Sequence, residues 1–197
     1  MNHQKEKLPE MVVLDQLEGN NLGPYYRKMN PVIIDGFLKH DEFKKLQTYM
    51  MSPDFQWRFM PVISHLNEKG NKFQFVHLFY QNCKPISPDY SILTPVFRAI
   101  NMKSLYRIKS NLLTRTPEIV ENDFHYDVSD FTPEQAKHWT TSILYINTNN
   151  GYTKFETGEK IESVENRLIT FSANLRHTGA SCSDEQRRMV INFNYFT

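Results

Sequence analysis

Cysteine, glycine, one-signed charge and long apolar runs are all in short supply in this 197-residue chain, and each shortage removes a class of protein. Only Cys83 and Cys182 are present, too few for a disulfide-framed secreted domain or a thiolate zinc site, so a reduced, intracellular setting is the simpler reading. Seven scattered glycines build neither a GxGxxG nor a GxxxxGK loop, which removes the usual signature of nucleotide chemistry. Lys and Arg total 23 against 22 Asp and Glu, a net charge of +1, so no global field attracts nucleic acid or anionic lipid. The run RIKSN lacks the aromatic interleaving and wider basic patch of a nucleic-acid site. Apolar runs stop at about six residues, well below a bilayer span, and the opening MNHQKEKLPEMVVLDQ has no signal-peptide core. A soluble, cytoplasmic protein with no nucleic-acid or membrane partner is expected. What the chain does have is aromatic mass: 14 Phe, 10 Tyr and 2 Trp, enough to fold one core without staples.

The first 30 residues are polar and punctuated by Pro, Gly and Asn. They are expected to wrap the surface, with one short strand at MVVLD, while residues 31–197 form a single domain. Pro31 to Leu38 reads as a strand ended at Gly36, and Asp41 opens an amphipathic helix, EFKKLQTYMM, with Phe43, Leu46, Tyr49 and Met50 on one stripe and Pro53 as its stop. FQWRFMPVIS and FQFVHLFY, separated by NEKGNK, suggest paired strands. A second helix is expected from Ser91 to Met102, burying Leu93, Val96, Phe97 and Ile100. From Leu105 onward short strand-like segments follow one another: SLYRIKSNLLT, FHYDV, TTSILYINT, GYTKFET, EKIESVEN, RLITFSA and RMVINFNYF. Such a run predicts an α+β protein built on an antiparallel, jelly-roll-like barrel, with both helices on the outer face of one sheet.

His125-Tyr126-Asp127, inside DFHYDVSD, carries the most chemistry. On an extended strand, residues two apart project to the same side, so the imidazole of His125 and the carboxylate of Asp127 can converge on a metal. His177 follows in SANLRHTGAS, fifty residues after Asp127, and Arg188 comes eleven residues later at the start of RMVINFNYF. Two histidines and one carboxylate form the facial triad that leaves adjacent positions open on non-haem Fe(II). A nearby arginine supplies a bidentate clamp for the remote carboxylate of a chelating co-substrate. Strand alternation groups Arg188 with Val190, Asn192 and Asn194, and Arg187 with the apolar Met189, Ile191, Phe193 and Tyr195, so Arg188 is the better candidate wherever no bulge intervenes.

With these residues in place, the chain resembles the Fe(II)- and 2-oxoglutarate-dependent dioxygenases, and within them the small prolyl 4-hydroxylase-like branch. The resemblance covers roughly residues 31–197 and is strongest from Leu105 onward. SILYIN before Gly151, Thr153 and Phe155 looks like the family's strand and turn between its metal-binding segments. HTGASCSDEQRRMVINFNYF is similar to its closing stretch, and VIIDGFLKHDEFKKL to its opening strand and helix. The resemblance implies a double-stranded β-helix, with His125, Asp127 and His177 binding Fe(II). It also implies that 2-oxoglutarate chelates that metal with its far carboxylate on Arg188, and that the Tyr145 hydroxyl bonds the same carboxylate. Dioxygen would be the co-reactant, succinate and CO2 the products, ascorbate an accessory reductant, and an unactivated C–H, that of a prolyl residue in a peptide or another small substrate, the site of hydroxylation. Lys109 or Asn111 is expected to line the pocket as a co-substrate-binding residue.

Other readings of the same residues compete. His138 is a rival third ligand, and His3, His40, His65 and His77 read as structural or solvated. Trp57 and Trp139 are core candidates first, and Cys182 beside His177 reads as incidental. The chain as a whole could instead be a non-catalytic jelly-roll binding module with a structural or vestigial metal site, or a cupin-like metal enzyme that has no use for Arg188.

Overall fold

Apolar residues recur at every second position through most of this chain, and strands carry the fold accordingly in the computed structural model, which describes residues 31–63, 72–128 and 131–197. The strands are β1 (Val32–Ile34), β2 (Arg58–Met60), β3 (Gln74–Gln81), β4 (Lys84–Pro85), β5 (Ser104–Thr114), β6 (Thr140–Tyr145), β7 (Asn149–Phe155), β8 (Lys160–Ser163), β9 (Leu168–Ser172), β10 (His177–Gly179) and β11 (Arg187–Phe196). Helices α1 (His40–Met51), α2 (Thr94–Ala99) and α3 (Pro133–Ala136) and a 3-10 helix at Pro88–Leu93 complete the described elements. No helix among the described residues is long and apolar enough to cross a membrane.

The large sheet runs β1-β9-β6-β11-β5-β3-β2, with β4 paired to β3, and the small sheet runs β10-β7-β8; the pairings are antiparallel. This is the jelly-roll architecture that the run of short strands implies. The pleat sorts the side chains into two cores. Met189, Ile191, Phe193 and Tyr195 of β11 and Leu144 of β6 point to one face of the large sheet, where Phe43, Leu46 and Met50 of α1 and Leu93, Val96 and Ile100 cover them. Val190, Ile143, Tyr145, Ile169 and Phe171 point the other way, against Phe155 and Ile161 of the small sheet. Both helical segments thus pack on the outer face of one sheet, and the space between the sheets is left for the site.

Four local expectations differ from the structure. The helix expected at 91–102 is split, because Pro95 lacks an N–H and its ring opposes the carbonyl four residues back, so a 3-10 helix hands over to the short α2. FQWRFMPVIS contributes only the exposed three-residue β2. FHYDV makes no strand and joins the ladder through one bridge, His125 to His177, with Glu121 just upstream bridging Ala180. Helix α3, one turn long, went unpredicted. The MVVLD strand, His3, His65 and most of the NEKGNK turn lie outside the described residues.

The segment 115–128 therefore depends on side chains to hold its place. Glu121 anchors it to the small sheet, accepting from the Tyr152 hydroxyl at 2.6 Å and the Lys154 ammonium at 2.8 Å. The Lys154 hydrogen bond, with that from Tyr152, holds the Glu121 carboxyl down from 4.5 to about 2. A carboxyl lowered on folding contributes stability above its unfolded value and loses it as pH falls toward the folded one. Glu121→Gln is expected to lower the urea midpoint at pH 6 and to have little effect at pH 2.5; an equal loss at both would contradict an ionic tether.

Candidate metal centre

His125 and His177 face one another as a hydrogen-bonded antiparallel pair, with N–H···O distances of 3.0 and 3.1 Å in the two directions. Side chains of such a pair project from the same face, and the two imidazole centroids lie 5.0 Å apart. Asp127, two residues on, turns its carboxylate toward both rings. Its Oδ1 is 3.9 Å from His125 Nε2 and 3.8 Å from His177 Nε2, and ligand atoms of all three residues lie within 4.8 Å of one another. The Nδ1 of each ring faces a backbone carbonyl, Asp123 at 3.1 Å and Leu175 at 3.2 Å. Neutral imidazoles there carry their proton on Nδ1 and present a bare Nε2. Burial, reinforced by His177, lowers His125 to about 4 and keeps that ring neutral.

Asp127 is buried in a cage of donors. Asn192 Nδ2 sits 3.3 and 3.2 Å from its two oxygens, Asn194 Nδ2 is 3.3 Å from Oδ2, and Arg107 donates to its backbone carbonyl at 2.5 Å with its guanidinium 3.9 Å from Oδ1. Burial alone would raise this carboxyl, but the positive charges facing it, Arg107 and Lys109 among them, outweigh burial and hold the group well below the ordinary carboxylate range. Two bare ring nitrogens and an ionised carboxylate, all lone pairs and no proton, converge on one point. That donor set fits a divalent cation. The buried Asn192 carbonyl oxygen beside it has no hydrogen-bond partner, so the polar shell is incomplete without further donors.

A cleft opens onto the triad, and Lys109, Asn111, Thr153, Gly179, Arg188 and Asn192 are among its walls. Arg188 is 4% exposed; its Nε donates to Ser163 Oγ at 2.8 Å and its Nη2 to Thr153 Oγ1 at 3.0 Å. Among the described residues no carboxylate lies within ion-pair distance of it. A cation buried this way is costly unless a counter-ion arrives, and burial lowers its proton affinity. Register from Arg187 to Asn194 against β5 is unbroken, the bulge falling only after Asn194, so alternation places Arg188 on the site side as expected. Asn147 extends β6 with its side chain, donating to Arg187 O at 2.8 Å and accepting from Met189 N at 2.9 Å.

Tyr145 is fully buried behind the wall instead of on it, and its hydroxyl donates to Thr153 Oγ1 at 2.8 Å. Thr153 takes the position facing the cleft, a role GxTxF alternation could have suggested, since Gly151, Thr153 and Phe155 share the buried face of β7. Lys109 and Asn111 both line the cleft; the choice between them was needless, because residues two apart on β5 share a face. Arg107 lies on that face too and went unnoticed. His138 is exposed and outside the cluster, and His40 is exposed. His77 is held by Gln56 O at 2.7 Å and Ser87 Oγ at 2.8 Å. Cys182 is buried, its thiol pushed up by desolvation.

Sequence comparison finds no matching family model and no matching curated protein. Solved structures of similar fold are 2-oxoglutarate/Fe(II) oxygenases, including prolyl hydroxylases. The viral collagen prolyl hydroxylase of Paramecium bursaria Chlorella virus-1, in complex with 2-oxoglutarate, superposes with a TM-score of 0.55 at 14% identity over 85% of this chain and 96% of that one. The epimerase SnoN of nogalamycin biosynthesis, solved with Fe3+, α-ketoglutarate and nogalamycin RO, gives 0.60 at 12% over 87% and 80%. A Pseudomonas putida prolyl-4-hydroxylase gives 0.53 at 13% over 87% and 95%. At these identities the likeness establishes the double-stranded β-helix fold.

Two glycines make room for the buried guanidinium. A Cβ at Gly151 would lie 2.7 Å from Arg188 Cδ and 2.8 Å from the Ser181 carbonyl, and one at Gly179 would lie 3.3 Å from Arg188 Nη1. Gly151→Ala is expected to cost about 1–3 kcal/mol through overpacking, read from chemical denaturation; an unchanged midpoint would show that the guanidinium is free to move.

Proposed function

We propose that this chain is an Fe(II)- and 2-oxoglutarate-dependent dioxygenase that hydroxylates an unactivated C–H bond, with a prolyl residue of a peptide as the first substrate to test. One observation carries the reading: a buried arginine with no acidic partner opens onto the same cleft as a two-histidine, one-carboxylate cluster. A structural metal site would account for the cluster and leave Arg188 unexplained. Likeness of fold to structures that hold 2-oxoglutarate or α-ketoglutarate with iron supports it.

His125, Asp127 and His177 would hold the metal, which when bound supplies redox activation of dioxygen coupled to conversion of 2-oxoglutarate to succinate and CO2. Arg188, kept rigid by Ser163 and Thr153, would anchor the far carboxylate with charge-assisted hydrogen bonds. Tyr145 holds Thr153 in place from behind. Asn192, Asn194 and Arg107 fix the Asp127 carboxylate, so that its orientation does not wait on the metal.

Anaerobic titration with Fe(II) and 2-oxoglutarate tests this: a weak visible charge-transfer band is expected only with both present, and its absence would sink the proposal. His125→Ala and Asp127→Ala should abolish Fe(II)-dependent succinate formation. Arg188→Ala should weaken 2-oxoglutarate binding about 10- to 100-fold, the loss expected of a charged hydrogen-bonded pair, with Fe(II) affinity retained. Asn194→Ala, which acts through Asp127, should weaken Fe(II) binding about tenfold in equilibrium dialysis.

A further inference from the structure

The cleft contains a second cation that the proposed chemistry leaves over. Lys109 pairs in register with Asn192, and Arg188 pairs with Leu113; the two cations are four positions apart along β5, about 13 Å of strand. Arg188 thus sits at one end of the cleft and Lys109 near the Asp127 end. Among the described residues, no carboxylate comes within ion-pair distance of the Lys109 ammonium. Arg107, which also faces Asp127, approaches it at 3.9 Å. Next to Lys109 on the same face, the buried Asn111 carbonyl oxygen has no hydrogen-bond donor.

The charges can be followed group by group on the reading above. A ferrous ion is offset by Asp127 and by one carboxylate of 2-oxoglutarate, and the other carboxylate is offset by Arg188. Both acids of the co-substrate then have positive partners, and His125 is neutral. Arg107 and Lys109 are left over; Arg107 faces Asp127 and donates to its backbone carbonyl, whereas Lys109 has no carboxylate within ion-pair distance among the described residues. A half-buried ammonium and an orphaned amide oxygen together form a receptor for an anion that carries a hydrogen-bond donor close by.

Resting on the dioxygenase reading, we infer that the substrate carries a carboxylate, held by Lys109, with an N–H or O–H donor beside it that meets Asn111. A free C-terminus and an acidic side chain share this chemistry. Substrates lacking the negative group would leave the half-buried Lys109 ammonium desolvated without an anion, which costs binding.

The test uses full-length protein loaded with Zn(II), which is redox-inert, and saturating 2-oxoglutarate, and follows the Lys109 ε-methylene NMR signal. N-acetylglycine and an amidated N-acetyl-glutamate are expected to shift that signal saturably, and the relative strength of the two distinguishes a C-terminus from a side chain. N-acetylglycinamide, which keeps the N–H and lacks the charge, should bind at least tenfold more weakly. Lys109→Met should abolish the discrimination, measured by calorimetry, while leaving the Kd for 2-oxoglutarate within twofold; Lys109→Arg should retain it. Failure of both carboxylates to shift the signal, or equal binding of acid and amide, overturns the inference. A tenfold loss of 2-oxoglutarate affinity in Lys109→Met also overturns it, by assigning the ammonium to the co-substrate. Absence of 2-oxoglutarate binding to the wild-type protein would instead defeat the dioxygenase reading itself.

Discussion

Strand β11 is hydrogen-bonded to β5 on one side and to β6 on the other through Val190 to Tyr195, so its residues can only alternate between the two faces of the large sheet. That constraint builds both halves of the molecule at once. Odd-numbered residues from Met189 to Tyr195 complete the core under the helices, while Arg188, Val190, Asn192 and Asn194 form the floor of the cleft and the cage around Asp127. A slip of one residue would put a guanidinium and two amides into the apolar core and expose four large apolar side chains to the cleft. The energy that keeps the helices on the sheet is therefore the same energy that holds the site's polar groups in place.

Within that frame the site is expensive. Asp127 and Arg188 are both buried, and neither has an ion-pair partner closer than 3.8 Å among the described residues. At hydrogen-bond distance both charges meet neutral dipoles, amide groups of Asn192 and Asn194 for the carboxylate and hydroxyls of Ser163 and Thr153 for the guanidinium, with Arg107 standing off at 3.9 Å from Asp127. Dipoles of this kind compensate a buried charge only in part, which leaves each group poised for a stronger partner.

Much of this was legible in the sequence because the side-chain period of a strand is 2 and does not depend on what the strand pairs with. Alternation alone assigned Arg188 over Arg187 and picked out the apolar face of β11, while the single core expected from composition divides into two clusters on opposite faces of the large sheet. It also contained the joint placement of Arg107, Lys109, Asn111 and Leu113 on one face, although the choice between Lys109 and Asn111 passed over it. What alternation does not contain is hydrogen-bond partnership across the chain. Thr153 and Ser163 hold Arg188 from strands about 35 and 25 residues earlier, and His125 reaches His177 through one bridge without any strand pattern of its own. The broken helix at Pro95 was a matter of backbone chemistry, visible in the residue and overridden by the apolar spacing around it.

The two unpaired cations of the cleft are built differently, and the difference bears on how each would select its anion. Arg188 has a planar, five-donor head wedged between Gly151 and Gly179 and tied to two hydroxyls, so little rotamer freedom remains to be lost when a carboxylate docks. Lys109 has a point charge on a flexible stem, and its neighbours are an amide oxygen in need of a donor and a second cation, Arg107. A rigid fork suits an invariant co-substrate present in every turnover; a swinging ammonium suits a partner that must enter, react and leave. Under the proposed chemistry, discrimination among substrates would fall to the Lys109 end of β5, and the Arg188 end would be the part of the cleft least free to change.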